Sequence, residues 1–282
     1  MKRHRLEKIL IVSRVPDLYS NQRLVQELKH KNLLYQIIPP DHEKIKSACH
    51  GIPEKSVAAL IRLASWRFQE GLEELKKATG QIAMMNSIES FEASRNKWHA
   101  LQILEKNQIP TPLSQIISRD ELYIVDLTYP FVLKEIFSSQ GLGVYLIQNF
   151  QELEKALQLL KESDLFIAQS YLKECHGEDL RIFMTLNGDH WCMKRKNSSG
   201  DFRSNVHQGG QGSRDIATTD ELEMAFLALK IFNLDYAGID LLRSSSGPLM
   251  IDVNPSPGFE KLEAIYGPQV AGPLVSLLLS KF

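Results

Sequence analysis

The stretch IDVNPSPG at residues 251–258 decides how this chain folds, together with the apolar segment that precedes it. Residues 237–242 (AGIDLL) have the composition of a strand, residues 244–247 (SSSG) that of a turn, and residues 248–254 (PLMIDVN) that of a returning strand. Together these segments predict an antiparallel hairpin that ends in a turn rich in proline and glycine.

The hairpin would gather three oxygen-bearing side chains. Asp252 and Asn254 alternate with Val253 along the strand and therefore share one face. Asp240 lies almost opposite them if the hairpin closes near residues 245–246. Carboxylate and amide oxygens hold Mg²⁺ or Mn²⁺ while leaving positions open for phosphate oxygens. A plain surface hairpin is the alternative that these residues alone leave open.

Length and charge limit the class of protein. At 282 residues the chain exceeds what one small core needs, so two or three subdomains are expected. A formal net charge of -1, with 43% apolar and 24% charged residues, is an ordinary globular composition. It gives no electrostatic case for nucleic acid or an anionic membrane, so we expect neither as a direct partner.

The cysteines and the apolar runs bear on location. Cys49, Cys175 and Cys192 are too few and too scattered for a disulfide framework or a thiolate zinc site, and reduced cysteines fit a reducing compartment. The apolar run at residues 9–12 is too short for a secretion signal, and no apolar run approaches membrane-spanning length. The expected location is cytoplasmic.

The N-terminal segment predicts an open α/β domain. Residues 6–12 and 33–38 have the composition of strands, and residues 21–30 between them have the apolar spacing of a helix. This β-α-β order is typical of a parallel sheet flanked by helices.

Helical spacing continues into the middle of the chain. Residues 56–77 are expected to be largely helical with a break near Gly71, which would leave Arg62 and Arg67 on a solvated helix face. Residues 87–106 carry a second helical pattern. Strand composition begins at residues 123–125 and continues with strands at 129–134, 144–147, 166–169, 180–186 and 190–194, and with helices at 149–160 and 218–232.

A lysine followed by a glycine loop is the second informative feature. Residues 131–134 (FVLK) have the composition of a strand that ends in Lys134, and residues 138–144 (SSQGLGV) form a loop of small residues. Such a loop lets backbone N–H groups approach phosphate oxygens. The spacing matches neither a P-loop nor a dinucleotide-binding fingerprint. A glycine-rich hairpin is the competing interpretation of this segment by itself.

The order of the motifs resembles one family. The residues that carry the resemblance are Lys97, Lys134 with its glycine loop, 169–172 (QSYL), 178–181 (EDLR), 200–205 (GDFRSN), Asp240 and 252–258. This order resembles an ATP-grasp ligase, and the RimK-like branch of ribosomal-protein glutamate ligases and their amino-acid-ligase relatives fits best. The resemblance runs from Leu10 to the C-terminus and is densest at residues 200–210 and 252–258.

The resemblance implies a fold and its division into domains. The fold class is mixed α/β and α+β, with an ATP-grasp fold preceded by an open α/β pre-ATP-grasp domain. Residues 1–86 would form this N-terminal domain, residues 87–172 the central subdomain with the phosphate loop, and residues 173–282 the C-terminal subdomain with the metal site. The two α+β subdomains of such enzymes grip ATP between them.

The resemblance also implies which residues bind the nucleotide and its metal ions. Lys97 and Lys134 would contact the phosphates, and Asp179 the ribose. The loop over the triphosphate would comprise Ser138, Ser139, Gln140, Gly141 and Gly143. Adenine would meet Gln169, Tyr171 and Leu172, largely through the main chain. Two Mg²⁺ or Mn²⁺ ions would be held by Asp240, Asp252 and Asn254.

The implied reaction is the joining of a carboxylate to an amine. Arg203 and Asn205 lie where the family handles the transferring phosphoryl group and the acyl phosphate, with Arg181 in the same pocket and Arg195 a further candidate. The implied activity is an ATP-dependent carboxylate–amine ligase. Its first-choice amino-acid donor is glutamate, and its acceptor is a protein tail, a peptide or a small acid. A homo-oligomer is neither indicated nor excluded.

Two residues depart from the family's pattern. The last metal-binding acid is commonly Glu in this family and is Asp252 here, and position 170 is Ser where many relatives carry an acid. An ATP-binding protein with little or no ligase turnover is therefore the alternative. Nucleic-acid binding through residues 194–196 (KRK) and Arg203 is disfavoured by the near-neutral charge.

The acceptor is the least defined part of the implied function. Specificity in this branch lies in the N-terminal domain and the loops around residues 41–70, where the resemblance is thinnest. A basic groove formed there by Arg14, Arg62 and Arg67 would suit an acidic acceptor, such as a growing glutamate tail.

Overall fold

Three β-sheets are formed by the residues that the computed structural model describes, which are 6–53, 56–63, 68–78, 82–124, 128–137, 143–160, 164–204 and 210–282. A parallel sheet comes first in the chain, and a four-stranded and then a five-stranded antiparallel sheet follow it. Helices pack around all three, so the fold has the mixed α/β and α+β character that the sequence predicts.

The N-terminal sheet is parallel and has the strand order β2-β1-β3-β4. Its elements are β1 (Lys8–Val12), α1 (Tyr19–His30), β2 (Leu34–Ile38), α2 (His42–Cys49), β3 (Val57–Ile61), α3 (Phe68–Lys77) and β4 (Ala83–Met85). The central strands β1 and β3 are almost entirely buried, as expected for parallel strands covered by helices. The predicted β-α-β start is confirmed by β1, α1 and β2.

The expectation of a helix through residues 56–77 is wrong in its first half. The apolar run VAALI forms β3, because a run of this length suits a buried strand as well as a helix and periodicity alone does not separate the two. Helix α3 continues through Gly71, where a Cβ atom would lie 3.0 Å from Pro40 Cγ. Arg62 is 4% exposed and comes directly after β3, so it is not on a solvated helix face.

The middle sheet is antiparallel and has the order β5-β8-β6-β7. Its elements are α4 (Ile88–Arg95), α5 (Lys97–Lys106), β5 (Ser114–Ser118), β6 (Phe131–Glu135), β7 (Val144–Ile147), α6 (Phe150–Leu159) and β8 (Leu165–Ser170). The helical pattern at residues 87–106 divides at Asn96, whose side chain accepts a hydrogen bond from His99 N at 3.0 Å. A 3-10 helix, Arg119–Ile124, occupies the segment where strand composition was expected to begin.

The C-terminal sheet is antiparallel and has the order β11-β10-β9-β12-β13. Its elements are β9 (Glu178–Thr185), β10 (His190–Asn197), β11 (Gly210–Arg214), α7 (Thr219–Ile231), β12 (Tyr236–Ser244), β13 (Gly247–Asn254), α8 (Glu260–Tyr266) and α9 (Ala271–Lys281). Thr218 and Glu221 form a capping box at the start of α7, as their spacing predicts. Within the described ranges no single helix is long and apolar enough to cross a membrane, although the bent pair α8 and α9 passes that test when taken together.

The hairpin predicted from the opening stretch is present as β12 and β13. Asp240 is paired directly with Asp252, and Gly238 with Asn254, so the two acidic residues face each other across the strands. The register shifts between Asp240 and Leu241, which is a bulge next to the acidic pair.

One hydrophobic core joins the first sheet to the third. Ile9 and Leu60 of the parallel sheet belong to the same cluster as Phe183, Tyr236 and Leu274, which come from β9, β12 and α9. The C-terminal helix therefore packs against the N-terminal domain, and the two sheets hold a fixed relation to each other.

A buried amide links the same two sheets through hydrogen bonds. Asn86 follows β4 and has no exposed surface. Its Nδ2 donates to Tyr236 O and Pro255 O, each at 2.9 Å, and its Oδ1 accepts from Asp235 N at 2.6 Å. Asn86 thereby ties the parallel sheet both to the start of β12 and to the loop after β13.

Replacement of Asn86 should destabilise the protein. In Asn86→Ala the carbonyls of Tyr236 and Pro255 and the N–H of Asp235 lose a buried partner, and each unsatisfied group costs about 1–3 kcal/mol. We expect the free energy of unfolding to fall by roughly 3 kcal/mol in urea titrations followed by circular dichroism. The control is Gln102→Ala, which removes an exposed amide from α5. Equal urea midpoints for the two variants would contradict this role.

Candidate functional site

A cleft lies where the three sheets approach one another. Its volume is about 410 Å³, which is within the range of small-molecule sites. Its wall includes Tyr19 and Arg62 from the N-terminal domain, Lys134 and Gln169 from the middle sheet, and Asp240 from the C-terminal sheet. A ligand in this cleft can therefore contact all three parts of the chain.

Two lysines predicted to bind phosphate both line the cleft. Lys97 lies in the first turn of α5, and its Nζ donates to Asp252 Oδ1 at 2.8 Å. Lys134 lies on β6, and its Nζ donates to Gln169 Oε1 at 2.6 Å. Burial, and then the positive charge of Lys97, lowers the pKa of Lys134 to about 8, despite the opposing charges of Asp252 and Asp240. The two lysines therefore lie close to each other and to the hairpin carboxylates.

Asp240 is held by two arginines. Arg181 Nη2 donates to Asp240 Oδ2 at 2.6 Å, and Arg181 Nε donates to Oδ1, which makes the contact bidentate. Arg195 Nη2 also lies 2.8 Å from Asp240 Oδ2. Burial alone would raise the pKa of Asp240, but the two guanidinium groups lower it to about 2. Asp240 is thus a carboxylate at neutral pH, and its charge is balanced inside the protein.

Asp179 belongs to the same ionic network. Arg195 donates from Nε to Asp179 Oδ1 at 2.6 Å and from Nη2 to Oδ2 at 2.5 Å, and the Ser204 hydroxyl also donates to Oδ2. Burial would lower the pKa of Arg195, but the two carboxylates of Asp179 and Asp240 raise it. A ribose contact by Asp179 stays a prediction, and it requires the sugar to share oxygens that already accept hydrogen bonds.

The residues predicted to bind metal offer hard oxygens at the end of the hairpin. Asp240, Asp252 and Asn254 all line the cleft, and Asn254 Oδ1 accepts from Ser256 N at 3.0 Å. Within the described residues, neither this site nor any other contains a group of three or more His, Cys, Asp or Glu side chains that could hold a metal ion. Two carboxylates and an amide oxygen, with room beside them, suit Mg²⁺ or Mn²⁺. In the structure Asp252 is paired with Lys97 and Asp240 with Arg181, so bound metal ions would have to displace these side chains.

Arg203 also lines the cleft and is held by a neighbouring acid. Its Nε and Nη2 donate to the Asp201 carboxylate at 3.0 and 2.6 Å. The hydrogen bonds that Arg203 donates to the Asp201 carboxylate raise the pKa of Arg203, against the smaller effect of burial. The guanidinium also lies over the Phe202 ring at 5.8 Å from its centroid. These contacts orient an anion-binding group at the wall of the cleft.

The residues expected to meet adenine have distinct positions. Tyr171 and Leu172 follow β8 and line the cleft, and the Tyr171 hydroxyl contacts His176 Nδ1 at 2.5 Å. The side chain of Gln169 points to Lys134 and also donates to Ser114 Oγ at 2.8 Å. The Gln169 side chain therefore positions Lys134, a role that the sequence did not indicate.

The glycine loop is described only at its end. Gly143 has a positive φ of 67°, which favours glycine, and a Cβ atom there would also require the Glu135 side chain to move. Five predicted site residues lie outside the described residues: Ser138, Ser139, Gln140, Gly141 and Asn205.

Sequence reasoning underrated two arginines. Arg195 is central to the ionic network: it is the buried member of the basic run at residues 194–196 in β10 and lies opposite Asp179 in the strand register. Arg62 lines the cleft and donates to Pro257 O at 2.9 Å, so it is not part of a surface groove. Arg14 lies 3.7 Å from Glu70, and Arg67 lies outside the described residues.

Comparison with known proteins identifies the family of the chain. Residues 94–278 match the family model of the RimK-like ATP-grasp domain. A relative from Haemophilus influenzae named "Probable alpha-L-glutamate ligase" is 30% identical over 294 residues, covering 96% of this chain and 97% of the relative.

Solved structures of low identity show the same fold. D-alanine–D-alanine ligase from Bacillus anthracis complexed with ATP has a TM-score of 0.73 at 14% identity, covering 98% of this chain and 96% of that chain. The ATP-grasp ligase PsnB complexed with a phosphomimetic variant of its minimal precursor, Mg and ADP has a TM-score of 0.65 at 14% identity, covering 98% of each chain. The family match and the full-length relative show that the chain belongs to the RimK-like ATP-grasp family and is an ATP-dependent ligase.

Proposed function

We propose that the protein joins a carboxylate to the amine of an amino acid through an acyl-phosphate intermediate, with glutamate as the first-choice donor. The observation that carries the proposal is that Lys97 and Lys134 line the same cleft as Asp240 and Asp252. The cations suit a polyphosphate, and the carboxylates beside them suit its metal ions. The relative named as a glutamate ligase supports the choice of donor.

The chemistry needs charge stabilisation and positioning more than a protein nucleophile. A free carboxylate does not react with an amine because its leaving group would be oxide. One carboxylate oxygen attacks the γ-phosphorus of ATP, the bond to ADP breaks, and an acyl phosphate forms. The amine nitrogen then attacks the acyl carbon, phosphate leaves, and the amine gives up a proton. The products are an amide, ADP and phosphate.

The residues of the cleft have separate tasks in this sequence. Lys134 and Lys97 neutralise the phosphates, and Arg203 and Arg181 stabilise charge on the transferring phosphoryl group and on the acyl phosphate. When bound by Asp240, Asp252 and Asn254, two Mg²⁺ or Mn²⁺ ions would supply further charge neutralisation for phosphate oxygens. Asn205 is assigned to the same step.

The remaining nucleotide contacts are part of the proposal. The loop that includes Ser138 to Gly143 would cover the triphosphate, Asp179 would meet the ribose, and adenine would meet residues 169–172 largely through the main chain. The division at residues 1–86, 87–172 and 173–282 fits the three sheets, whose strands span residues 8–85, 114–170 and 178–254. The acceptor is a protein tail, a peptide or a small acid, in a cytoplasmic setting.

The alternative, ATP binding with little turnover, has one observation in its favour. The Asp252 side chain is a methylene shorter than Glu and already forms an ion pair with Lys97 at 2.8 Å. Bridging two metal ions is harder for the shorter acid. Asp252→Glu separates the two possibilities: a ligase keeps or gains turnover, whereas a non-catalytic binder gains none.

Removal of the Asp252 carboxylate should abolish turnover. The assay is ADP release from Mg-ATP with a panel of amino acids, with and without a cell extract as the acceptor source. In Asp252→Ala we expect amino-acid-stimulated ADP release to fall about 100-fold or more, because several kcal/mol of charge stabilisation are lost. Asp120→Ala, which removes an exposed carboxylate, should match the wild type. Wild-type ADP release that no amino acid stimulates, even with extract, would contradict the ligase proposal.

Nucleotide affinity should weaken above pH 8. In the nucleotide-free protein Lys134 carries its charge below its pKa of about 8 and loses it above that pH, and burial is the first cause of this low pKa. A nucleotide phosphate favours the charged lysine, so ADP binding takes up a proton at high pH. The dissociation constant of ADP, measured by calorimetry in EDTA, should rise with pH above 8.

Lys134→Arg tests the assignment of this pH dependence. The guanidinium stays charged throughout the range, so the rise in the dissociation constant should disappear. Lys106→Arg replaces an exposed lysine of α5 and should keep the wild-type pH profile. An unchanged profile in Lys134→Arg would assign the titration to another group.

A further inference from the structure

The turn at residues 198–204, which follows β10, carries Arg203 to the cleft. The last residue of β10, Asn197, fixes the base of this turn: its Oδ1 accepts from Ser199 N at 2.8 Å, and its Nδ2 donates to Arg203 O at 2.9 Å. Within the turn, Asp201 Oδ1 accepts from Arg203 N at 2.8 Å, and the same carboxylate accepts from the guanidinium. The direction of the guanidinium therefore depends on where Asp201 is held.

A histidine holds the tip of this turn. His176 Nε2 lies 3.2 Å from Gly200 O, and no other side chain in the described part of the chain hydrogen-bonds to Gly200. The Gly200 carbonyl and the Asp201 N–H belong to one planar peptide unit, so a bond to this carbonyl also orients the Asp201 backbone. The next residue after the histidine, Gly177, has a φ of 68°, and a Cβ atom there would lie 2.9 Å from Asp201 O. Residues 176 and 177 thus contact both peptide units of Asp201.

The other ring nitrogen of His176 contacts a residue of the cleft wall. Tyr171 lines the cleft, and its hydroxyl lies 2.5 Å from His176 Nδ1. A carbonyl oxygen can only accept, so Nε2 must carry the proton that binds Gly200 O, and in the neutral ring Nδ1 is then the acceptor. Burial raises the pKa of Tyr171, so its hydroxyl keeps the proton that it donates to Nδ1. Tyr171 thereby selects the tautomer of His176 that binds the turn.

His176 contributes to position more than to stability. Its side chain is exposed and lies outside the hydrophobic core, so replacing it should leave the fold intact. A small displacement of a group that touches a reacting phosphate can nevertheless change its effect greatly. His190 supplies a matched comparison, because it is also exposed and its Nδ1 lies 3.0 Å from Gly188 O in another turn of the same sheet. Neither His190 nor Gly188 belongs to the cleft wall.

We propose that His176 is a positioning residue, which binds Gly200 in the tautomer that Tyr171 selects and so directs Arg203 toward the γ-phosphate of ATP. This inference rests on the proposed function, in which Arg203 stabilises the transferring phosphoryl group and Tyr171 belongs to the segment that meets adenine. One imidazole then links the residues assigned to the base with the arginine assigned to the phosphoryl group. Binding of the base and contact with the γ-phosphate therefore depend on each other.

The test compares AMPPNP, a non-hydrolysable analogue of ATP, with ADP by calorimetry in the presence of Mg²⁺. Only AMPPNP has a γ-phosphate, so the ratio of the two dissociation constants reports the contact made by Arg203. We expect the wild type to bind AMPPNP about tenfold more tightly than ADP. His176→Ala should lose most of this preference while its affinity for ADP stays unchanged. His190→Ala, the matched control, should keep the wild-type ratio.

Further variants separate positioning from a general structural effect. In His176→Gln the amide nitrogen can donate to Gly200 O from the place of Nε2, so most of the preference should return. The shorter amide of His176→Asn does not reach that carbonyl, so this variant should resemble His176→Ala. Tyr171→Phe removes the hydroxyl that selects the tautomer and should give an intermediate ratio. In an Arg203→Met background, His176→Ala should cause no further change in the ratio, because both act on the same contact.

The outcomes separate this inference from the proposed function. A wild-type ratio in His176→Ala or in Tyr171→Phe overturns the role of His176, as do additive losses in the Arg203→Met background and a wild-type protein without preference for AMPPNP. A preference that is lost in His176→Ala and restored in His176→Gln, in a protein whose ADP release no amino acid stimulates, supports His176 and rejects the proposed reaction. Stimulated ADP release with a ratio that is insensitive to His176 does the reverse.

Discussion

Charge compensation within the C-terminal sheet is the constraint on which the cleft depends. Asp179 and Arg181 lie on one face of β9, and the strand register puts Arg195 opposite Asp179 and Asp240 opposite Arg181. Four charged side chains thereby alternate in sign inside a sheet whose other face is apolar core. Removal of any one would leave a buried charge without a partner, which is far more costly than the loss of a surface ion pair. The register of these strands is therefore fixed by electrostatics as well as by packing.

The N-terminal sheet is held against this network by contacts of a different kind. The shared core of Ile9, Phe183 and Leu274 supplies the apolar part, and Asn86 supplies directional hydrogen bonds to the loop after β13. The apolar core and Asn86 both fix the loop after β13. Arg62 of the N-terminal domain donates a hydrogen bond to Pro257 O in this loop, and no acidic side chain of the described residues pairs with Arg62. This contact links the N-terminal sheet to the loop after β13 through a side chain that lines the cleft.

Local patterns predicted those parts of the structure that depend on local physics. Alternation along the strand and the small-residue turn were enough to place Asp240 opposite Asp252. The capping box at the start of α7 followed from the spacing of Thr218 and Glu221. Interactions that depend on tertiary neighbours were not predictable. The VAALI run became a strand because parallel neighbours on both sides bury it, and the side chain of Gln169 turned to Lys134 because that lysine lies on the adjacent strand.

The ion pairs in the cleft also indicate which contacts a nucleotide would exchange. Asp252 is paired with Lys97, and Asp240 is paired with Arg181. If metal ions and phosphates bound together, each of these ion pairs would be replaced by one carboxylate–metal contact and one cation–phosphate contact. Each of these charges has a partner of opposite sign both before and after the nucleotide binds, which keeps the desolvation cost of binding small. Arg195 is different, since it is 4% exposed and bridges two carboxylates. Under the proposed function, Arg195 would hold Asp240 in place while Arg181 turned toward the phosphoryl group.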